Sequence, residues 1–313
     1  MHSCIFRKIT FGLLNNFILI GLCILAGWLL RRLRILPDDA HRGINVWVIY
    51  IAVPAVSLKY IPYIHWSSAL LLPAVMPIIV WVGSWLIFKL YSLRWPMDDA
   101  SRTALTLTAG LGNTSFIGFP LIMGYYGQAA MPTAVISDQV SFIVMSTIGA
   151  TMAMSQASTD RITLADIVKK LIQFPPFVAF FIAISIPVFM LAPVVPLIDR
   201  LADTLAPLAL FSVGMQLSFS GWRADLRYLA VGLGYKLLIA PTLILLIIVV
   251  AHLHGIIPQI SLFEAAMAPM ITAGVIATQY NLNPKLANLM VGIGILLSFI
   301  TTGIWYYVLK AFS

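Results

Sequence analysis

Charge is what this chain has least of. Only 10% of its 313 residues are Asp, Glu, Lys or Arg while 61% are hydrophobic, against roughly 25% charged in a soluble domain. An aqueous fold has no way to hide so much apolar surface, so a soluble protein is excluded. Cysteine is nearly absent as well. Of the two, Cys4 stands in the amino-terminal tail and Cys23 inside an apolar run, which excludes a disulfide framework. Neither a His-Glu-x-x-His pair nor a Gly-x-Ser-x-Gly elbow occurs, and a single mid-run acid gives no paired-carboxylate site, so an intramembrane enzyme is not expected. His252 and His254 flank Leu253 without further ligands nearby in sequence, so neither a metal nor a cofactor is expected. The runs also lack the ten-residue alternation of barrel strands, leaving helices as the spanning element.

What is present in their place is length. Phe11 to Leu30, Trp66 to Phe88, Phe174 to Ile198 and Leu286 to Leu309 are uncharged and each near or above the ~20 residues that cross ~30 Å of hydrocarbon. Together with the shorter runs they predict ten transmembrane helices, near 11–30, 43–64, 68–90, 103–125, 133–154, 175–192, 199–219, 227–252, 263–280 and 285–309. Arg7 and Lys8 before the first run imitate a signal peptide. The run is too long for one, though, no small-x-small cleavage site follows, and Arg31, Arg32 and Arg34 form a stop-transfer flank. Alternate connections hold thirteen Lys and Arg against five on the opposite side, which by the positive-inside rule puts both termini outside an inner, plasma-type membrane. This bias accounts for the net charge of +8. The bases are scattered over short loops, so nucleic acid is not an expected partner. Trp28, Trp66, Trp95, Trp222 and Trp305 fall near span ends, where tryptophans anchor at the interface.

The longest polar connection, 155–173, divides the chain into two five-span halves, 1–154 and 174–313, and its 163–173 portion reads as a short amphipathic helix on the cytoplasmic face. Sliding one half on the other by 157 residues lays span 1 on span 6 and Ser141-Phe142 on Ser298-Phe299. An odd number of spans per half inserts the second copy upside down, the inverted repeat of secondary transporters.

Span 4 reads AGLGNTSFIGFPL at 109–121, with three glycines, a proline and three hydrogen-bonding side chains in an uncharged segment. Gly costs ~1 kcal/mol and Pro ~3 against Ala within a helix, so a break is expected here, with Asn113, Thr114 and Ser115 serving freed backbone groups or facing a solute. At the 157-residue offset Gly112 and Asn113 fall on Pro269 and Met270, within AAMAPMITAG at 265–274, which also contains Thr272. Two breaks at matching depth would aim half-helix amino ends, each near +0.5 charge, at a shared cavity that favours an anion. Close helix packing by small residues is the alternative reading of either cluster alone.

The 112–121 motif GNTSFIGFPL, the alanine-rich 265–269 segment and LLSFITT at 296–302 resemble the auxin efflux carrier family along essentially the whole chain. The resemblance implies a scaffold of spans 1, 2, 6 and 7 and a transport domain of spans 3–5 and 8–10, in which spans 4 and 9 cross in an elevator-like carrier. It carries the family's substrate-proximal asparagine to Asn113 and its crossover prolines to Pro120 and Pro269, with one inserted alanine before Pro269. The Asn-Pro-Asn-Thr-Tyr motif and long central loop of the plant members are absent, which disfavours auxin. Bacterial members of the family are commonly described as permeases for malonate, malate or similar carboxylates, so the resemblance makes a small organic anion the expected solute, and it is compatible with a homodimer.

Three charged residues inside the membrane segments need separate weighing, Asp138, Lys236 and Glu264. Asp138 has 35 uncharged positions before it and 21 after. A midplane acid costs ~2.5–3.5 kcal/mol on insertion scales, so either it titrates and couples solute movement to protons, with Gln139 and Ser141 as neighbours, or it braces the break as a permanently bonded group. Lys236 can snorkel to the cytoplasmic interface or act as counter-ion to Asp138 or the solute. Glu264 is expected at the solvated outer end of span 9, beside a helix amino terminus. The function expected is a secondary transporter working by alternating access, the alternative being a channel or membrane sensor built on the same polar cavity.

Overall fold

A computed structural model describes residues 18–37, 39–157, 163, 165, 168, 169, 172–217 and 222–311. Among these the chain is helical throughout, its one β feature an isolated two-residue bridge. Thirteen helices are labelled here in chain order: α1 (18–32), α2 (Ala40–Tyr63), α3 (Ser68–Arg94), α4 (Asp99–Gly110), α5 (Thr114–Tyr125), α6 (Gln128–Gln156), α7 (Pro175–Ser185), α8 (Val195–Asp203), α9 (Leu205–Gln216), α10 (Leu226–Val250), α11 (Ile256–Ala265), α12 (Ile271–Gln279) and α13 (Pro284–Ala311). Five of them, α2, α3, α6, α10 and α13, are individually long and apolar enough to cross a membrane. Residues such as Phe189, Leu93, Val250 and Tyr307 are exposed, the composition of a surface facing lipid. The helix expected at 163–173 falls largely outside the described residues.

Two compact units divide the chain. The first takes in the chain up to Ile64, Ser115–Pro132 and Pro175–Leu217. In it α1 and α9 approach through a reciprocal pair of glycines: a methyl group on Gly27 would strike the Phe211 carbonyl oxygen, and one on Gly214 the Ile24 carbonyl oxygen. This is the small-residue contact by which membrane helices bring backbones together. Lys59 of α2 pairs with Asp199 at 3.0 Å and Asp203 at 3.2 Å on α8, and the Trp47 indole N–H donates to the Thr204 hydroxyl at 3.0 Å across 157 residues of sequence. Span 6 does not run unbroken to 192. Proline 187 disfavours helix at Ile186, so α7 stops at Ser185 and a single turn follows at Val188–Leu191.

The second unit takes in His65–Thr114, Thr133–Phe174 and the chain from Ser218. Its largest core cluster joins α3, α4, α10, α11 and α13 through Phe88, Leu105, Tyr235, Leu262 and Met290. Prolines inside these helices are answered individually. Pro77 supplies no N–H to the carbonyl of Pro73, and the Ser137 hydroxyl of α6 donates to that oxygen instead at 3.3 Å. Pro241 likewise leaves Leu237, whose carbonyl accepts from the Trp305 indole N–H at 2.9 Å. Among the described residues three of the four π-helical stretches, Val48–Ala52, Thr114–Gly118 and Tyr235–Ile239, end two residues before Pro54, Pro120 and Pro241. A wider turn there relieves the ring's clash with the preceding turn. Asp98 starts α4 by accepting the Ser101 N–H at 2.8 Å, and Asn283 starts α13 by accepting the Leu286 N–H at 3.2 Å while its own amide donates to the Ser101 hydroxyl at 2.7 Å.

Candidate functional site

Both helices expected to break do so, and inside the second unit the broken segments are bonded to each other. α4 ends at Gly110 and the next helix begins at Thr114; α11 ends at Ala265 and α12 begins at Ile271. Between those ends Gly112 and Pro269, 157 residues apart, face one another as an antiparallel bridge. The Asn113 N–H donates to the Ala268 carbonyl at 2.8 Å, and the Met270 N–H to the Leu111 carbonyl at 3.1 Å. Main chain freed from two helices thus satisfies itself in pairs, which makes non-helical backbone tolerable when it is buried in protein.

Space decides which residues can stand there. A methyl on Gly112 would lie 3.1 Å from the Glu264 carbonyl oxygen and 3.3 Å from Lys236 Nζ, and a methyl on Gly294 of α13 would run into the ring of Pro269. Lys236 is 1% exposed, and its ammonium donates to the Ala265 carbonyl at 3.0 Å. A cation therefore caps the carboxyl end of α11, where the helix dipole is negative. The expectation that Lys236 snorkels outward is overturned: its stem turns inward because Gly112 leaves room for the head.

Around the bridge the structure collects Asn113, Thr114, Asp138, Gln139, Pro269 and Met270, all buried. The Thr114 hydroxyl donates to the Asp138 carboxylate at 2.5 Å, tying α6 to the first residue after the break. Gln139 is fully enclosed, yet neither atom of its amide has a hydrogen-bond partner. Thr272 is exposed on α12. Ser115 and Pro120 lie past the break on α5 and belong to the first unit. There Pro120 lines a cavity of about 260 Å³ with Val56, Tyr60, Met123 and Leu210.

One residue of this site was misplaced by sequence reasoning. Glu264 does not sit at a solvated amino end of span 9. It occupies the last turn of α11, 1% exposed, with both carboxylate oxygens lacking a hydrogen-bond donor. The helix begins at Ile256, earlier than the expected 263, because Pro258, Gln259 and Ser261 dilute its hydropathy and made it read as loop. Lys236 and Asp138 lie within electrostatic range of Glu264, and no direct ion pair joins Glu264 to Lys236. Among the described residues no cluster of three His, Cys, Asp or Glu side chains could hold a metal.

A family model described as membrane transport protein matches residues 15–306. An uncharacterized transporter of Methanothermobacter thermautotrophicus is 25% identical over 291 residues, covering 91% of this chain and 95% of its own. A putative malonate transporter of Rhizobium meliloti is 25% identical over 299 residues, covering 91% and 92%, and the uncharacterized transporter YfdV of Escherichia coli is 22% identical over 308, covering 92% and 95%. The chain is a multi-pass membrane protein and belongs to the membrane transport protein family, the auxin efflux carrier family that its 112–121 motif resembles.

Proposed function

We propose that this protein is a secondary transporter that moves a small organic anion, a carboxylate, by alternating access, with a proton linked to the movement. The observation that carries the reading is the main-chain bridge between two broken helices at positions 157 residues apart. Packing of small residues would give no reason for the two interruptions to meet each other. A two-fold inverted repeat does, because residues near its axis neighbour their own counterparts. On this reading α1 and the four interrupted helices complete ten spans with the five unbroken ones, both termini outside. One compact unit then serves chiefly as scaffold, and the other, built on α3, α4, α6 and α10 to α13, carries the solute.

The amino ends at Thr114 and Ile271 attract an anion, Asn113 and Gln139 offer amide groups to a carboxylate, and the name of the Rhizobium relative makes malonate the first solute to try. Asp138, Gln139 and Lys236 are the groups nearest to hand for coupling. Thermal unfolding of detergent-purified protein against mono-, di- and tricarboxylates, indole-acetate and neutral solutes tests the reading, because a ligand bound only by the folded state raises the midpoint by mass action. A rise confined to certain carboxylates and lost in Asn113→Ala is the expected result. No rise with any anion sinks the anion assignment, and unitary currents in a planar bilayer would replace the carrier with a channel.

A further inference from the structure

The transporter reading leaves open which acid handles the proton, and the geometry around Lys236 distinguishes the two. Within one buried site stand two carboxyls, Asp138 and Glu264, and one ammonium, Lys236. Asp138 accepts the Thr114 hydroxyl. The Lys236 head is committed to the Ala265 carbonyl, one residue from Glu264. Glu264 has no donor to either oxygen. With every group ionised the site would hold one negative charge beyond what Lys236 balances. That excess would repel the anion that the half-helix amino ends attract.

We propose that Glu264 is the proton-carrying group. Resting on the transporter reading, it takes a proton from water on one side when the anion binds, so that Asp138 and Lys236 are left balanced and the amino ends act on the solute alone. On the other side the O–H bond breaks, the proton returns to water and the restored negative charge expels the anion. Proton and anion therefore move together in the same direction. No helix packed on α11 carries another acid, and Arg227 stands at the start of α10. Among the helices packed on α11, Tyr235 of α10 is committed to the Val80 carbonyl, Lys89 and Arg94 stand toward the end of α3, and Lys285 and Lys310 stand at the two ends of α13. Asp138, on α6, already has its hydroxyl donor and remains the fixed negative partner.

The test pairs a measurement without solute and one with it, on the full-length protein. Infrared difference spectra between acid and alkaline buffer should show the C=O stretch of a buried protonated carboxyl, absent from Glu264→Gln and present in Asp138→Asn. In proteoliposomes an inward proton gradient should accelerate radiolabelled malonate uptake several-fold in wild type. Glu264→Gln should give no acceleration while malonate exchange between equal pools persists, which also shows that the variant is folded. A band that survives in Glu264→Gln, or vanishes in Asp138→Asn alone, overturns the proposal, as does gradient-driven uptake by Glu264→Gln. A band that disappears with Glu264 while wild type takes up no malonate upholds the proton assignment and refutes malonate as solute.

Discussion

Adding one methyl group at Gly294 should dismantle the crossover without changing the identity of any residue of the bridge. The substituent would point from α13 into the pyrrolidine ring of Pro269, 2.7 Å from Cγ and closer still to Cδ, with Leu233 Cδ2 at 2.9 Å. A leucine tip can swing aside. A proline ring cannot, because it is part of the backbone, so relief must come from moving the segment between Ala268 and Met270. Overpacking of this kind costs ~1–3 kcal/mol. The displaced segment also holds both bridge hydrogen bonds, and a buried polar group left unsatisfied costs ~1–3 kcal/mol. A total loss of about 2–6 kcal/mol is expected for Gly294→Ala, together with loss of solute uptake. The matched control is Gly234→Ala in α10, where a methyl meets nothing within 4 Å and helix propensity improves by up to ~1 kcal/mol. Denaturation midpoints and proteoliposome uptake of the two variants decide the matter. If Gly294→Ala retains wild-type stability and uptake, or Gly234→Ala is equally harmful, the claim that the crossing depends on a missing side chain at this point fails.

Lys236→Met removes the cap on the Ala265 carbonyl and the positive charge beside Glu264, and should destabilise by ~1.5–3 kcal/mol, the range for bonds to charged groups, with unfolding followed by circular dichroism. Asp98→Ala should cost ~1 kcal/mol as the loss of a helix N-cap, and its effect should depend on pH. Partial burial alone would raise the Asp98 carboxyl, but bonds from the Ser101 hydroxyl and nearby backbone N–H groups outweigh it and hold the carboxyl below its usual 3.8. The wild-type advantage should therefore be full above that value and fade as pH drops beneath it, which denaturation across acid buffers can follow. The Lys59 pairs with Asp199 and Asp203 involve well-exposed carboxylates, so Asp203→Asn should change stability by less than ~1 kcal/mol, and that small effect should shrink further as salt is raised. Gly27→Val should sever the α1–α9 contact and abolish monodisperse protein in gel filtration, since the Phe211 carbonyl leaves no space for a side chain.

The long apolar helices and both interruptions were legible because hydropathy and helix-breaking residues act locally. Gly112 and Pro269 could even be matched at the 157-residue offset, and the structure bonds their segments. The direction of Lys236 was not legible. A lysine stem satisfies a hydropathy argument whether it reaches the interface or an internal carbonyl, and the space that decides the matter belongs to a glycine 124 positions away in sequence. Glu264 was missed for a related reason: a short half-helix diluted by Pro258, Gln259 and Ser261 looks like loop, and an acid at a loop looks solvated. The π-helical turns before Pro54, Pro120 and Pro241 also escaped notice, because a proline announces a disturbance without saying how the backbone absorbs it.

The bridge at Gly112 and Pro269 uses only main-chain donors and acceptors. Its scaffold is therefore indifferent to most of the side chains it displays, much as a lock casing is indifferent to the cut of its pins. Residues beside it can be exchanged one at a time to recognise a different cargo, with the frame surviving each exchange. A lineage that holds this joint together could diversify its menu of solutes quickly, and an engineer wishing to retune the protein should start at Asn113 and Gln139 and leave Gly112 and Gly294 alone.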